Sequence, residues 1–316
     1  GRRREVRAVT KKDEGMEIGE KIRYLRLQRK MTQAELAGDQ ITRNMLSRIE
    51  NGVALPSLAT VWYLAERLDV PAGFLLAEGE DDRIWKKMGR IDSIRRVLRS
   101  GDARICLDLC RGDAEAGEAD DEIYLIMTQC SLMVASEEFD RGHLRECCAY
   151  LDRTIEYAKK TLYNTDGMEQ TAALYFRFLH RLSATLTSDL LREEDTPLIG
   201  SKHPFGCYVL AREALEAGAD ACVDAYRRMD FSGDVLANGK EWQEHFDILC
   251  EIRAREYADA RERLLHLLNA QQARSEVLVY CVFGDLEICC REMGDFRGAY
   301  EYSQNKVAIL ERMLQE

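Results

Sequence analysis

From Met16 onward, apolar residues recur every three or four positions with polar residues between them. That is the period of amphipathic helices, not of strands. Ile18, Ile22 and Leu25 form one stripe, and Lys21, Arg23, Arg26, Arg29 and Lys30 fall elsewhere on the same predicted helix. Thr32 is a good N-cap, and Glu35 three residues later completes a capping box for a second helix. Leu36 and Ala37 face inward there, before Gly38-Asp39-Gln40 breaks the helix. Ile41 returns the chain to the core and Thr42 caps a third helix, with Leu46 and Ile49 as its buried face and Met45 assisting. The run Ile49-Glu50-Asn51-Gly52, with Pro56 beyond it, is a helix stop.

Two short helices on either side of a tight connection, over residues 32–52, have the layout of a helix-turn-helix, whose second helix enters the DNA major groove. The third-helix pattern leaves Arg43, Asn44, Ser47 and Arg48 pointing outward. Arg can grip guanine O6 and N7 with two bonds, and Asn can do the same for adenine. Each such pair gives about 1–3 kcal/mol of discrimination. Gln33 opens the second helix, where its amide can bond a phosphate with help from the helix dipole. A solvated polar face is the bland alternative for the same residues.

Residues 18–76 resemble the lambda-repressor-like (Cro/XRE) helix-turn-helix family. The matching segments are Thr32-Gln33-xx-Leu36-Ala37, Ser47-Arg48-Ile49-Glu50-Asn51-Gly52, Pro56-Ser57-Leu58, Leu64-Ala65-xx-Leu68-Asp69-Val70 and Phe74-Leu75-Leu76. The resemblance implies a five-helix DNA-binding domain with Gln33 on a phosphate. It places the base-reading positions at Arg43, Asn44 and Arg48, with Thr42 and Ser47 beside them. It also implies a buried, structural pair between Arg26 and Glu50. One departure stands out: the connection Gly38-Asp39-Gln40-Ile41 is one residue shorter than usual, so the second helix is expected to end early and tilt the third.

Beyond Glu78-Gly79-Glu80-Asp81-Asp82 the pattern changes to long helices joined by short polar turns. Four turns share one scheme: Gly101 to Cys106, Gly142 to Cys147, Arg255 to Ala260 and Gly294 to Ala299. A turn residue comes first, an apolar side chain two later and a small residue five later. The turns recur at intervals near 38 residues or a multiple of it, the mark of stacked helical hairpins. They resemble tetratricopeptide (TPR) repeats. About five helix pairs are expected between residues 83 and 314; Glu276 to Leu314 is the clearest match and Pro197 to Gly239 the poorest. First helices of stacked hairpins line a concave groove suited to a peptide or protein segment. Candidates there are Tyr124, Gln129, Arg177, Arg181, Gln243 and Tyr280, each with an ordinary exposed helix residue as its alternative.

The formal charge of −11 over 316 residues is unevenly spread. Residues 1–76 hold 14 Lys and Arg against 10 Asp and Glu, and the remainder holds 31 against 46. A basic module that can neutralise phosphates is joined to an acidic one that they would repel. The expected organisation is a basic extension over 1–15, a DNA-binding domain over 16–77, an acidic linker over 78–82 and a TPR-like sensing and dimerisation domain over 83–316. The extension reads either as a minor-groove arm or, since helical period starts only after Met16, as an upstream remnant.

All eleven cysteines lie beyond residue 100, with no CxxC pair and no histidine partner at zinc spacing. They read as small buried apolar residues in a reducing cytoplasm, with a thiol sensor built on Cys147-Cys148 or Cys289-Cys290 as the alternative. No membrane-length apolar run and no nucleotide-, hydrolase- or metalloprotease-type motif occurs, so neither an enzyme nor a cofactor is expected.

Head and body together resemble the Rgg and PlcR class of peptide-pheromone regulators. That resemblance implies an all-α transcriptional regulator that binds double-stranded DNA at a pseudo-palindromic operator as a homodimer. It also implies a signalling peptide in the TPR groove. An effector-free dimeric repressor that uses its body as a docking scaffold, or a redox regulator, are the other readings.

Overall fold

The structure is a computed structural model. It describes residues 17–77, 80–115, 117, 119–188, 202–230, 239–269 and 275–315, with backbone only over 80–89. The basic extension of residues 1–15 lies outside these. Every regular element among the described residues is an α-helix, and none is long and apolar enough to cross a membrane. The chain divides into two compact units between Arg96 and Val97.

The N-terminal unit begins with α1 (Ile18–Gln28), α2 (Gln33–Ala37), α3 (Arg43–Glu50), α4 (Leu58–Arg67) and α5 (Ala72–Leu76). Thr32 and Glu35 form the reciprocal capping box, while Thr42 and Ser57 cap α3 and α4 by accepting from Met45 and Thr60 N–H. Ile22, Leu36, Leu46, Ile49, Val61, Leu64, Leu68 and Leu75 make one core. Each fully buried aliphatic side chain contributes about 1.5–3 kcal/mol. Met45, expected inward, is exposed, because Leu46, Ile49 and Glu50 occupy the inner face of α3.

The crossing of α1 over α3 is close. A Cβ at Gly19 would sit 2.2 Å from the Ile49 carbonyl oxygen, so only glycine fits. At that crossing Arg26 Nε and Nη2 donate to Glu50 Oε1 and Oε2 at 2.6 and 2.9 Å, and Nη1 donates to the Met31 carbonyl at 3.0 Å. The Glu50 bonds raise the Arg26 pKa against the opposing effect of burial. Lys21, also buried, donates from Nζ to the carbonyls of Phe74 (3.2 Å) and Ala77, which fixes the end of α5 to α1.

The acidic stretch read as a linker is in part helical: α6 (Glu80–Ser100) begins within it and contains the division between units. The C-terminal unit continues with α7 (Ala103–Glu115), α8 (Asp121–Arg141), α9 (Leu144–Ala158), α10 (Met168–Leu182), α11 (Pro204–Ala217), α12 (Asp220–Arg227), α13 (Gly239–Arg253), α14 (Tyr257–Asn269), α15 (Glu276–Glu292) and α16 (Phe296–Gln315). Four hairpins pack pairwise, α8 with α9, α11 with α12, α13 with α14 and α15 with α16, while α7 packs on α8 and α10 lies between α9 and α11.

The four aligned turns have one backbone geometry. Gly101, Gly142, Arg255 and Gly294 all take positive φ, from +67° to +85°. Gly218, with φ +77°, is a fifth turn of this kind, 76 residues after Gly142. Cys106, Cys147, Ala260 and Ala299, the small residues five positions on, are buried. The apolar plug holds for Ala103 and Leu144, but Phe296 in the last repeat is 72% exposed.

Within the unit α15 packs against α8 and α16 against α9, so the last hairpin reaches back to the first. Its interior is an aromatic cluster. Phe205 lies 4.4 Å from Tyr175 and 4.6 Å from Phe139, and Tyr208 lies 4.7 Å from Trp242, between ring centroids.

Replacing Glu50 by Ala is expected to cost about 3 kcal/mol, because it strands the buried Arg26 charge. Amide hydrogen exchange at Leu46 and Ile49 reads this directly; undiminished protection would show that the pair does not hold α3. Arg255 holds a left-handed conformation that disfavours side chains by about 1 kcal/mol. Arg255→Gly should therefore raise the thermal unfolding midpoint, and an unchanged or lowered midpoint contradicts strain at that turn.

Candidate nucleic-acid interface and ligand cavity

On α3, the residues that fill the core lie on one side, and Arg43, Asn44, Ser47 and Arg48 lie on the other. Arg43, Asn44 and Arg48 are exposed, Ser47 half-buried. No side-chain hydrogen bond or ion pair joins Arg43, Asn44 or Arg48 to another described residue, so their donors are available to a ligand. Thr42 is committed first to structure. Its Oγ1 accepts from Met45 N–H at 3.1 Å, which leaves the hydroxyl proton and one lone pair to offer outward.

Gln33 differs from expectation in one respect. Its Nε2 donates to Glu50 Oε2 at 2.8 Å, so the amide is anchored on the buried Arg26–Glu50 pair. One amide N–H remains for an outside acceptor. The anchor fixes where that N–H sits and ties the opening of α2 to the end of α3. Helix α2 ends at Ala37, where Gly38 turns with φ +55° against the Tyr63 hydroxyl. Tyr63 donates its hydroxyl proton to the Ala37 carbonyl at 2.9 Å, closing the shortened connection.

In the C-terminal unit the six candidates separate. Arg181 and Tyr280 line one cavity of about 380 Å³, together with Phe178, Leu182, Arg212 and Asp285 among others. Arg177 donates to Glu213 at 2.7 Å, and Arg181 donates to Glu216 at 3.1 Å, so both are held by carboxylates of α11. Tyr124 packs 6.3 Å from Tyr157, with the Lys160 ammonium 5.5 Å from its ring. Gln243 donates to the Met229 carbonyl at 2.8 Å, and Gln129 is exposed. Only Arg181 and Tyr280 therefore share a site.

Beside the cavity is a buried polar chain that the sequence reading did not find. His245, with no solvent exposure, meets Tyr208 Oη at 2.9 Å through Nδ1 and Asp285 Oδ2 at 2.8 Å through Nε2. Burial pushes the Tyr208 pKa well up. The chain spans α11, α13 and α15 and satisfies three polar groups inside an aromatic core. Its only sequence signal was a histidine and an aspartate within otherwise apolar helical stripes.

The cysteine pairs do not make reactive thiols. Burial pushes Cys147 well up, and Cys148 and Cys289 up to about 12, the opposite of a thiolate sensor. Among the described residues one group has ligand atoms close enough for a metal, Glu138, His143 and Glu146. Glu138 is already engaged by Arg104, by Arg141 at 2.7 Å and by His143 at 2.6 Å, so two guanidiniums stand where a cation would go.

No curated protein matches the chain in sequence. Among solved structures it is similar to PlcR of Bacillus thuringiensis in complex with the peptide PapR7 and DNA, at 12% identity and a TM-score of 0.26, over 95% of this chain and 97% of that one. It is similar also to the apo form of the competence regulator ComR from Streptococcus vestibularis, at 16% identity and a TM-score of 0.22, over 92% and 91%. The SHP pheromone receptor Rgg2 from Streptococcus dysgalactiae matches at 12% identity and a TM-score of 0.19, over 92% and 99%. Superpositions this loose carry no residue-by-residue correspondence. The helix-turn-helix family model matches residues 22–75, the span that holds α2, its turn and the outward face of α3. Residues 22–75 are a helix-turn-helix DNA-binding domain.

Proposed function

We propose that the protein is a cytoplasmic transcriptional regulator. Its N-terminal domain reads a duplex through α3, and its helical body responds to a small ligand, a short peptide. The observation that carries the reading is the face of Arg43, Asn44 and Arg48, exposed and unengaged, on a helix whose opposite side is locked into the core. Unpaired cationic and amide forks on a rigid helix are what base edges in the major groove require. Arg43 and Asn44 open the helix and reach deepest, Arg48 lies one turn further along, and Thr42 and Ser47 flank them. Gln33 gives its remaining amide proton to a phosphate, set at a fixed height by Glu50.

Two copies then place two such helices about 34–36 Å apart on a pseudo-palindromic site, and the body joins them. Ligand binding in the body changes DNA affinity through the linkage that makes each site sensitive to the other. The peptide reading is supported by the stacked-hairpin architecture and by a cavity of about 380 Å³ with both apolar and charged walls. The raised pKa values of Cys147, Cys148, Cys289 and Cys290 speak against a thiol sensor built on those two pairs.

Arg43→Ala should weaken binding to a duplex selected from random sequence by about five- to a hundredfold. Its effect on unselected DNA should be much smaller. Gln33→Ala should weaken both alike. Competition binding at fixed salt separates the two residues; equal losses on both duplexes for Arg43→Ala would make Arg43 a backbone contact and remove it from base reading.

A further inference from the structure

The cavity of about 380 Å³ in the C-terminal unit is lined by more cations than anions. Arg181, Arg212, Arg291 and Lys306 line it against Asp285 and Glu287. This excess sits in a chain whose net charge is −11. The four cations are not equivalent. Lys306 donates to Glu287 at 2.6 Å and Arg181 to Glu216 at 3.1 Å, so both have close partners. Arg212 has its nearest carboxylate, Glu216, 3.5 Å from Nε, and Arg291 has only Glu292 at 3.7 Å. Asp285, a second carboxylate of the lining, shares its Oδ2 with His245 at 2.8 Å.

Arg212 is the telling member. Its side chain is 28% exposed and its guanidinium lies 5.8 Å from the Phe178 ring centroid. A mostly buried guanidinium is costly unless an anion meets its fork of donors. Phe178, Leu182 and Ile288 supply apolar wall beside it.

Resting on the peptide reading above and narrowing it, we infer that this cavity is a subsite for a carboxylate carried on an apolar body. Arg212 on α11 receives the carboxylate and Arg291 on α15 supports it. A carboxylate matches the guanidinium fork with two parallel bonds, and the apolar body covers the hydrocarbon wall. Burial works to lower the Arg212 pKa, but the carboxylates of Asp285 and Glu216 act against it and the guanidinium stays charged. The free C-terminus of a short hydrophobic peptide and the head of a medium-chain fatty acid share this chemistry.

The test uses the full chain and three probes: a degenerate pool of hydrophobic hexapeptides with free C-termini, the same pool amidated, and decanoate. Thermal unfolding against probe concentration gives apparent affinities. The free-acid pool should bind roughly tenfold or more tightly than the amidated pool. Arg212→Met should remove that difference and Arg297→Met, an exposed residue on α16, should keep it. Arg291→Met serves as the second cavity variant if Arg212→Met alters the midpoint without probe, and it should shrink the difference several-fold. Stabilisation by decanoate alone, lost in the cavity variant, supports the carboxylate site and ends the peptide reading. Equal binding of both peptide pools keeps the peptide reading and overturns the carboxylate site, and so does a decanoate response that survives both cavity variants. No stabilisation by any probe overturns the carboxylate site as well.

Discussion

The ion pair between Arg26 and Glu50 sets the geometry on which the proposed DNA reading depends. It joins α1 to the last residue of α3, and Gln33 adds α2 to the same carboxylate. The pair is almost dry, with side chains 10% and 1% exposed, so neither charge tolerates separation. Its directionality also does what apolar contact cannot. Leu46 and Ile49 would pack with α3 rotated by some degrees, whereas a two-point bond to a carboxylate accepts one rotation. The outward direction of Arg43, Asn44 and Arg48 follows from that constraint, and Gly19 permits the helix approach that makes it possible.

The body solves a different problem by repetition. Left-handed turns at Gly101, Gly142, Gly218, Arg255 and Gly294 reverse the chain, and buried small residues bring the helices together. Curvature accumulates until α15 reaches α8, and the inner helices bury aromatic rings against one another. One cavity is bounded by α10, α11, α15 and α16, and the Tyr208–His245–Asp285 chain connects its wall to the centre. A ligand that engages Arg212 or Asp285 therefore acts on groups tied to the packing of three helices.

Features set by neighbours in sequence were legible beforehand. The capping box of Thr32 and Glu35, the caps at Thr42 and Ser57, and the turns of the aligned repeats depend on residues a few positions apart. The inward stripe of α3 could be read for Leu46 and Ile49 but not for Met45, because a helix beside a small core buries a narrower stripe than periodicity suggests. Gly218 escaped the alignment since Asp220 and Val223 stand where the scheme wants an apolar and a small residue. The tie of Gln33 to Glu50 and the carboxylate partners of Arg177 and Arg181 are set by residues distant in sequence. No local pattern encodes them. For the same reason the cavity had only two of its residues, Arg181 and Tyr280, among the candidates.

The central claim is that the outer face of α3 reads guanine and adenine edges in the major groove. Methylation interference tests it most directly, on a duplex selected by the full-length protein from random sequence. A methyl group at guanine N7 occupies the acceptor that an arginine fork needs. The account predicts two clusters of interfering guanines, centred about one helical turn apart, and loss of one guanine's interference from each cluster in Arg43→Ala. Binding indifferent to N7 methylation, or interference confined to adenine N3 in the minor groove, would contradict it.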